Sequence, residues 1–332
     1  QLSPRGRTLR TQHPPMYVCP RTVVTPRLTG KLDDDVWGHA PWTEPFEDIE
    51  GDLKPKPRLL TRAKMLWDDE FLYVGAYLDE PHLWGTLTEH DCIIYEDNDF
   101  EVFLDLNGTC QHYVELELNL LNTTWDLMLT RPYRAGGIRF NGWEFHGMRT
   151  AVHCDGTLND PSDIDKGWSV EIAFPWASLA DVTDRPLPPS DGDQIRIGFS
   201  RVEWQHEIVD RQYRKVPGTA EDNWVWTPTG VIDMHRPERW GVLQFSDRIA
   251  DLPEPTPLTE WENRVVLVDV FEAQMAWQRD YGAYTSSLTD LGMDDISGLT
   301  LEATASQFIA RLGACSIDHE WRLVCAPTLG NR

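Results

Sequence analysis

The chain of 332 residues carries 30 basic and 54 acidic side chains, a formal net charge of −24, with 41% hydrophobic and 25% charged residues. A phosphate-binding surface needs an excess of Lys and Arg, so this balance argues against nucleic acid and against anionic membrane surfaces as partners. No apolar run reaches the roughly 18 residues of a membrane span, and the length suits roughly two globular domains with a sizeable core.

Residues 1–24 show no periodicity and are expected to form an extended N-terminal arm. From 25 to 250 the period is two. Met65–Trp67 and Phe71–Leu78 read as a hairpin around Asp68-Asp69-Glu70, with Leu72, Val74, Ala76 and Leu78 on one face. In Asp99–Leu106 the residues Phe100, Val102, Leu104 and Leu106 alternate with Asp99, Glu101, Phe103 and Asp105. His112–Leu121, Trp168–Phe174 and Gln194–Val202 repeat the alternation, punctuated by Gly, Asn, Asp and Pro. The pattern predicts a mainly β protein, an antiparallel β-sandwich.

Residues 251–258, with prolines at 253, 255 and 257, read as a stiff linker. Beyond it, 259–332 reads as a small α+β C-terminal extension. Thr259 and Glu262 have capping-box spacing, Val265, Val268, Phe271 and Met275 recur at helical spacing up to Tyr281, and Gly282 supplies a stop. Short strand-like runs follow at Leu299–Ala303, Phe308–Ala314 and Trp321–Cys325.

Six cysteines allow fifteen pairings. Cys315 and Cys325 bracket two short strands around Asp318-His319-Glu320, which makes a cross-hairpin disulfide plausible. Sequons at Asn107 and Asn122 permit N-glycosylation in a secreted chain. With the even cysteine count they point to an extracellular or otherwise extracytoplasmic protein.

Catalytic motifs are absent: there is no Gly-rich phosphate loop, no nucleophile elbow and no H-E-x-x-H. Glu96, Asp97 and Asp99 lie in an oxygen-rich loop of the kind that can hold Ca²⁺; no other cofactor is expected. Asp99, Glu101, Glu115 and Glu117 share one strand face and read as a solvated surface of the sandwich. There are 15 tryptophans, and Trp42, Trp84, Trp125, Trp143, Trp224 and Trp226 sit in polar loops. Flat rings beside carboxylates, amides and guanidinium groups are what a saccharide site requires, the rings taking the C–H face and the polar groups the hydroxyls.

The order of motifs resembles the family 9 carbohydrate-binding modules and, more closely, the broader 9-like group. The resemblance runs through Leu28-Thr-Gly-Lys-Leu-Asp-Asp-Asp-Val-Trp37, Met65–Asp79, Tyr95-Glu-Asp-Asn-Asp-Phe-Glu-Val-Phe-Leu-Asp105 and Tyr113–Asp126. It continues through Gly167–Trp176, Gly198–Trp204, Asn223–Gly230 and Pro237–Gly241, covering about residues 25–247. It implies a DOMON-related β-sandwich in which two aromatic rings clamp a sugar. Tyr95 falls where one clamp Trp stands, Asn119 and Asn122 fall at polar positions, and Glu117 replaces a basic residue. Met234 sits near the second clamp position, for which Trp224 or Trp226 would substitute.

The resulting expectation is a non-catalytic carbohydrate-binding protein. Tyr95, Trp125, Trp224 and Trp226 would form a rim, with Asn98, Glu117, Asn119, Asn122 and Arg201 supplying hydrogen bonds. Strict alternation turns Arg201 toward the apolar side, where Glu117 or Glu203 would neutralise it. The alternative is an interaction subunit of an extracellular assembly, using the sandwich as a scaffold and the C-terminal extension to dock protein partners.

Overall fold

In the computed structural model of the protein, Leu9 and residues 11–326 are described; the remainder of the predicted arm and the last six residues lie outside them. The strands are β1 (Met16–Pro20), β2 (Glu47–Asp48), β3 (Thr61–Trp67), β4 (Phe71–Asp79), β5 (Asp99–Asp105), β6 (Tyr113–Asn119), β7 (Thr124–Leu129), β8 (Arg139–Phe140), β9 (Arg149–Asp155) and β10 (Gly167–Pro175). They continue with β11 (Gln194–Glu203), β12 (His206–Val209), β13 (Gln212–Lys215), β14 (Asp222–Val225) and β15 (Gly241–Ser246). The helix α1 (Trp261–Tyr281) and β16 (Thr300–Ala303), β17 (Phe308–Leu312), β18 (Cys315–Asp318) and β19 (Leu323–Cys325) follow.

Two sheets stack into the sandwich. The larger runs β1-β15-β11-β5-β6-β7-β8, and β14 joins the second half of β11 and carries β2. The smaller runs β3-β4-β10-β9. Period-two alternation decides what lies between them. Phe100, Val102 and Leu104 of β5, Val114, Leu116 and Leu118 of β6, and Ile195, Ile197 and Phe199 of β11 face Met65, Leu72, Val74, Ala76, Trp168, Val170 and Ile172 in one continuous core. A one-residue slip in β5 would exchange Phe100 and Val102 for Asp99 and Glu101, so register is strongly fixed.

Two expectations need correction, and the linker gains anchors. Residues 16–20 are not a free arm: β1 pairs in parallel with β15, Met16 opposite Val242 and Pro20 opposite Ser246, and Tyr17 and Cys19 enter the core. The stiff linker at 251–258 is held on the large sheet, where the Thr256 N–H donates to Gln244 Oε1 at 2.8 Å and the Thr256 carbonyl accepts from Gln194 Nε2 at 2.6 Å. The capping box does not form. Glu260 stands at the N-cap in left-handed geometry, φ 52°, and its carboxylate instead accepts from Asn263 Nδ2 and from the Ala314 N–H, each at 2.9 Å.

The extension folds on its own sheet, order β16-β17-β18-β19, with Leu267, Val268, Val270 and Phe271 of α1 packed on Phe308, Ala310, Ile317 and Trp321. Cys315 and Cys325 are opposite each other across β18 and β19 and are joined by a disulfide. This unit is seated on the sandwich: Arg134 lies 3.8 Å from the Trp321 ring centroid and 3.1 Å from Glu272, and the Leu323 N–H donates to the Thr109 carbonyl. No helix among the described residues is long and apolar enough to cross a membrane.

Candidate functional site

The face of the large sheet turned away from the core is divided between an apolar patch and a row of acids. Phe103, Tyr113, Trp125, Leu127, Leu129 and Trp240 form the patch, with Ile94 packed on it. The acids follow from register. Glu101 of β5 stands opposite Glu117 of β6, Glu115 is opposite Phe103, and Asp99 is opposite Asn119. On the flanks Ser200 of β11 pairs with Glu101, and Trp125 of β7 pairs with Glu117.

These carboxylates are not solvated, which overturns the expectation for this face. Asp99 is 0% exposed, Glu117 2%, Glu115 4% and Glu101 6%. Among the described residues no ion pair neutralises them. Burial pushes Glu101 up to about 7 and, with the repulsion of Glu101 added, Glu115 up to about 8. Burial and neighbouring carboxylates drive Asp99 and Glu117 well above the usual range. Asp99 Oδ1 accepts from the Val202 N–H at 3.1 Å while its Oδ2 has no hydrogen bond. Like charges on adjacent strands, desolvated together, oppose folding.

The loop before β5 builds one wall. Ile94 is fully buried on the apolar patch, which raises its neighbour Tyr95 to the rim, 38% exposed. The Tyr95 N–H donates to Glu117 Oε2 at 2.9 Å, and its carbonyl accepts from Trp204 Nε1 at 2.8 Å. Its ring lies 6.5 Å from that of Trp125, tilted by 37°. Tyr133, 43% exposed, and Arg139 stand beside Glu115. On the opposite side Met234 covers Gly198, where a Cβ would lie 2.8 Å from Met234 Cε and 2.9 Å from Trp240 Cδ1. The result is an acidic floor bounded by Tyr95 and Trp125, Tyr133 and Arg139, and Met234.

Of the residues expected to form the site, Tyr95, Glu117 and Trp125 meet here. Trp224 and Trp226 do not reach the rim, and their exposures of 3% and 4% place both in the core; Trp224 is opposite Arg201 across β11–β14 and Trp226 packs on Phe199. The tryptophan excess is therefore mostly core volume, since Trp84 and Trp125 are buried as well. Arg201 faces the sandwich interior. It donates to Glu203 at 3.0 Å, Glu80 at 3.2 Å and the Asp79 carbonyl at 2.7 Å, which selects Glu203 over Glu117 as its partner. Asn119 is consumed by Leu87, Asp97, Leu121 and Thr123, and Asn122 sits in the exposed turn after β6. Asn98 is buried and accepts from the Trp204 N–H at 2.7 Å.

The acidic loop does not converge as a calcium site. Glu96 pairs with Lys215 at 2.7 Å, Asp97 accepts from Thr86, Leu87 and Asn119, and Asp99 turns to the strand face. Asn107 donates its Nδ2 to the Val182 carbonyl at 2.9 Å. Glu101, Glu115, Tyr133 and Arg139 lie outside the site expected from the sequence, and Asp99 entered it only as a candidate calcium ligand. The four acids at period two were visible, but their desolvation was not.

The sequence matches the family described as "Carbohydrate family 9 binding domain-like" over residues 28–246. Endo-1,4-beta-xylanase A of Thermoanaerobacterium saccharolyticum is 28% identical over 155 residues, 47% of this chain and 11% of that protein. Exoglucanase XynX of Acetivibrio thermocellus is 26% identical over 165 residues, 50% of this chain and 13% of that protein. The matched segment is thus a small part of each enzyme. A solved structure from Bacteroides uniformis ATCC 8492, of a protein assigned to carbohydrate binding without an established function, superposes with a TM-score of 0.52 at 14% identity, over 71% of this chain and 100% of the other. A family 9 carbohydrate-binding module from Caldicellulosiruptor kristjanssonii, solved with cellotriose, gives 0.45 at 16% identity, over 74% and 98%. The sandwich predicted from strand periodicity is the fold found, and the chain belongs to the carbohydrate family 9 binding domain-like family.

Proposed function

We propose that this domain is a non-catalytic module that holds a saccharide over the acidic floor, with Tyr95 stacked on one sugar face. The observation that carries the reading is the buried set Asp99, Glu101, Glu115 and Glu117, which no ion pair neutralises among the described residues and which lies beneath an exposed aromatic ring. Sugar hydroxyls both donate and accept. A carboxylate takes two such donors, a protonated carboxyl returns one, and each bond relieves desolvation the apo face already carries. Tyr95 supplies apolar area for the C–H face.

The non-catalytic reading follows the family match over residues 28–246. The disulfide of the extension supports an oxidising, extracytoplasmic setting. The names of the two curated relatives, a xylanase and an exoglucanase, make β-1,4-linked glycans the first ligands to try.

The test is titration calorimetry with cello- and xylo-oligosaccharides on the wild type and on Tyr95→Ala. Binding lost in the variant with nearly unchanged Tm is expected. A folded wild type that binds no glycan across a broad array, or equal binding by the variant, would sink the proposal. The interaction-subunit reading draws on one observation: Trp277 and Tyr281 stack at 4.0 Å at the end of α1, with Tyr281 68% exposed. A clean monomer by light scattering would weaken it.

A further inference from the structure

A second cluster lies at the edge of the sandwich, on three separate segments. His90 and Asp91 come from the loop before β5, Asp126 from β7, and Glu144 from the loop after β8. His90 Nε2 lies 3.2 Å from Glu144 Oε1, 3.4 Å from Asp91 Oδ1 and 3.9 Å from Asp126 Oδ1. His90 Nδ1 is 2.9 Å from the Thr124 carbonyl. Donation there fixes the tautomer and leaves the Nε2 lone pair turned toward three carboxylates, an orientation that metal-ligating histidines adopt.

The carboxylates are also short of partners. The Asp126 side chain is 2% exposed; its Oδ2 accepts from the Phe145 N–H at 2.6 Å, but its Oδ1, buried and aimed into the cluster, makes no hydrogen bond. Asp91 Oδ1 is likewise buried without one. A carboxylate oxygen left in that condition in the folded state costs more than a bonded one and calls for a cation.

We propose that His90, Asp91, Asp126 and Glu144 form a binding site for one divalent transition-metal ion, zinc being the best fit. Ligand atoms of a tetrahedral ion with bonds near 2.0–2.1 Å stand roughly 3.3 Å apart, which matches two of the three separations from His90 Nε2, and all four ligand atoms lie within 4.8 Å of one another. An imidazole nitrogen in the set favours zinc over calcium or magnesium, which prefer oxygen alone. The ion would staple the loop that carries Tyr95 to β7 and to the segment around Phe145. His90, 51% exposed, is the side through which it would enter. This site does not depend on the saccharide reading, because its ligands lie off the acidic floor and its readout is metal content.

The experiment uses the whole chain, stripped with chelator and titrated with Zn²⁺ against a competing indicator, with bound metal counted by mass spectrometry and the Co²⁺ derivative examined in visible absorption. The expected result is one Zn²⁺ per chain and a Tm raised by the metal. Affinity should fall at least about tenfold in both His90→Gln and Glu144→Gln, since even ligand-orienting groups contribute that much. Glu144 is 37% exposed, so its variant should keep the fold even if another does not. Equal zinc affinity in the wild type and both variants would overturn the assignment. So would a cooperatively folded wild type that takes up no zinc, leaving an imidazolium held by carboxylates only.

Discussion

Replacing Glu101 by Gln should stabilise the protein and weaken its ligand binding, both in a pH-dependent way. In the folded chain burial holds the Glu101 carboxyl at about 7 against an ordinary 4.5. A raised carboxyl contributes stability that is fully present below the unfolded value and is lost as pH rises through the folded one. Between pH 4.5 and about 8 the wild type should therefore lose up to about 3 kcal/mol on account of this group. Gln resembles the protonated carboxyl in shape and still accepts from a hydroxyl such as that of Ser200, the side chain that bonds Glu101. At pH 4.5 the variant and wild type should unfold together. At pH 8 the variant should be more stable by about 2–3 kcal/mol, a Tm higher by roughly 5–10 °C for a domain of this size. Scanning calorimetry at the two pH values reads the difference, and calorimetric titration with the glycan reads affinity. Stability gained on removing a charge while binding is lost marks a surface kept strained for a ligand. If Glu101→Gln were less stable than wild type at pH 8, the row would be a structural network and the saccharide reading would lose its main support.

Arg201 presents the opposite case. It is 1% exposed and neutralises two buried carboxylates, so Arg201→Met should cost about 3–5 kcal/mol in denaturant unfolding. Adding Glu80→Gln and Glu203→Gln should recover much of that loss, and no recovery would mean that the guanidinium acts through packing. Removing the disulfide with Cys315→Ser and Cys325→Ser opens a loop of sequence separation 10, a loss of about 2–3 kcal/mol by loop-closure entropy. Hydrogen exchange should show it first as faster exchange in β16–β19, and unchanged protection there would refute it.

The sequence alone determined the architecture, because alternation is a local property. Phe100, Val102 and Leu104 occupy every second position of β5, and burying that face leaves one register for the strand. The same regularity put Asp99, Glu101 and Glu115, Glu117 on the other face, and it turned Arg201 inward, where it meets Glu203. What alternation cannot supply is what covers a face. Whether Glu117 is wet or dry depends on Ile94 seating its loop and on Met234 lying over Gly198, contacts between residues that are not neighbours in the sequence. Trp224 and Trp226 sit in a polar stretch yet fill the core, because β14 adds to the second half of β11. Residues 16–20 have no pattern of their own and become a strand only because β15 offers a parallel edge. Periodicity fixes which side a residue takes within its own strand. Burial, charge state and the meeting of His90 with Asp126 and Glu144 are set by segments distant in the chain, and only the tertiary structure brings those together.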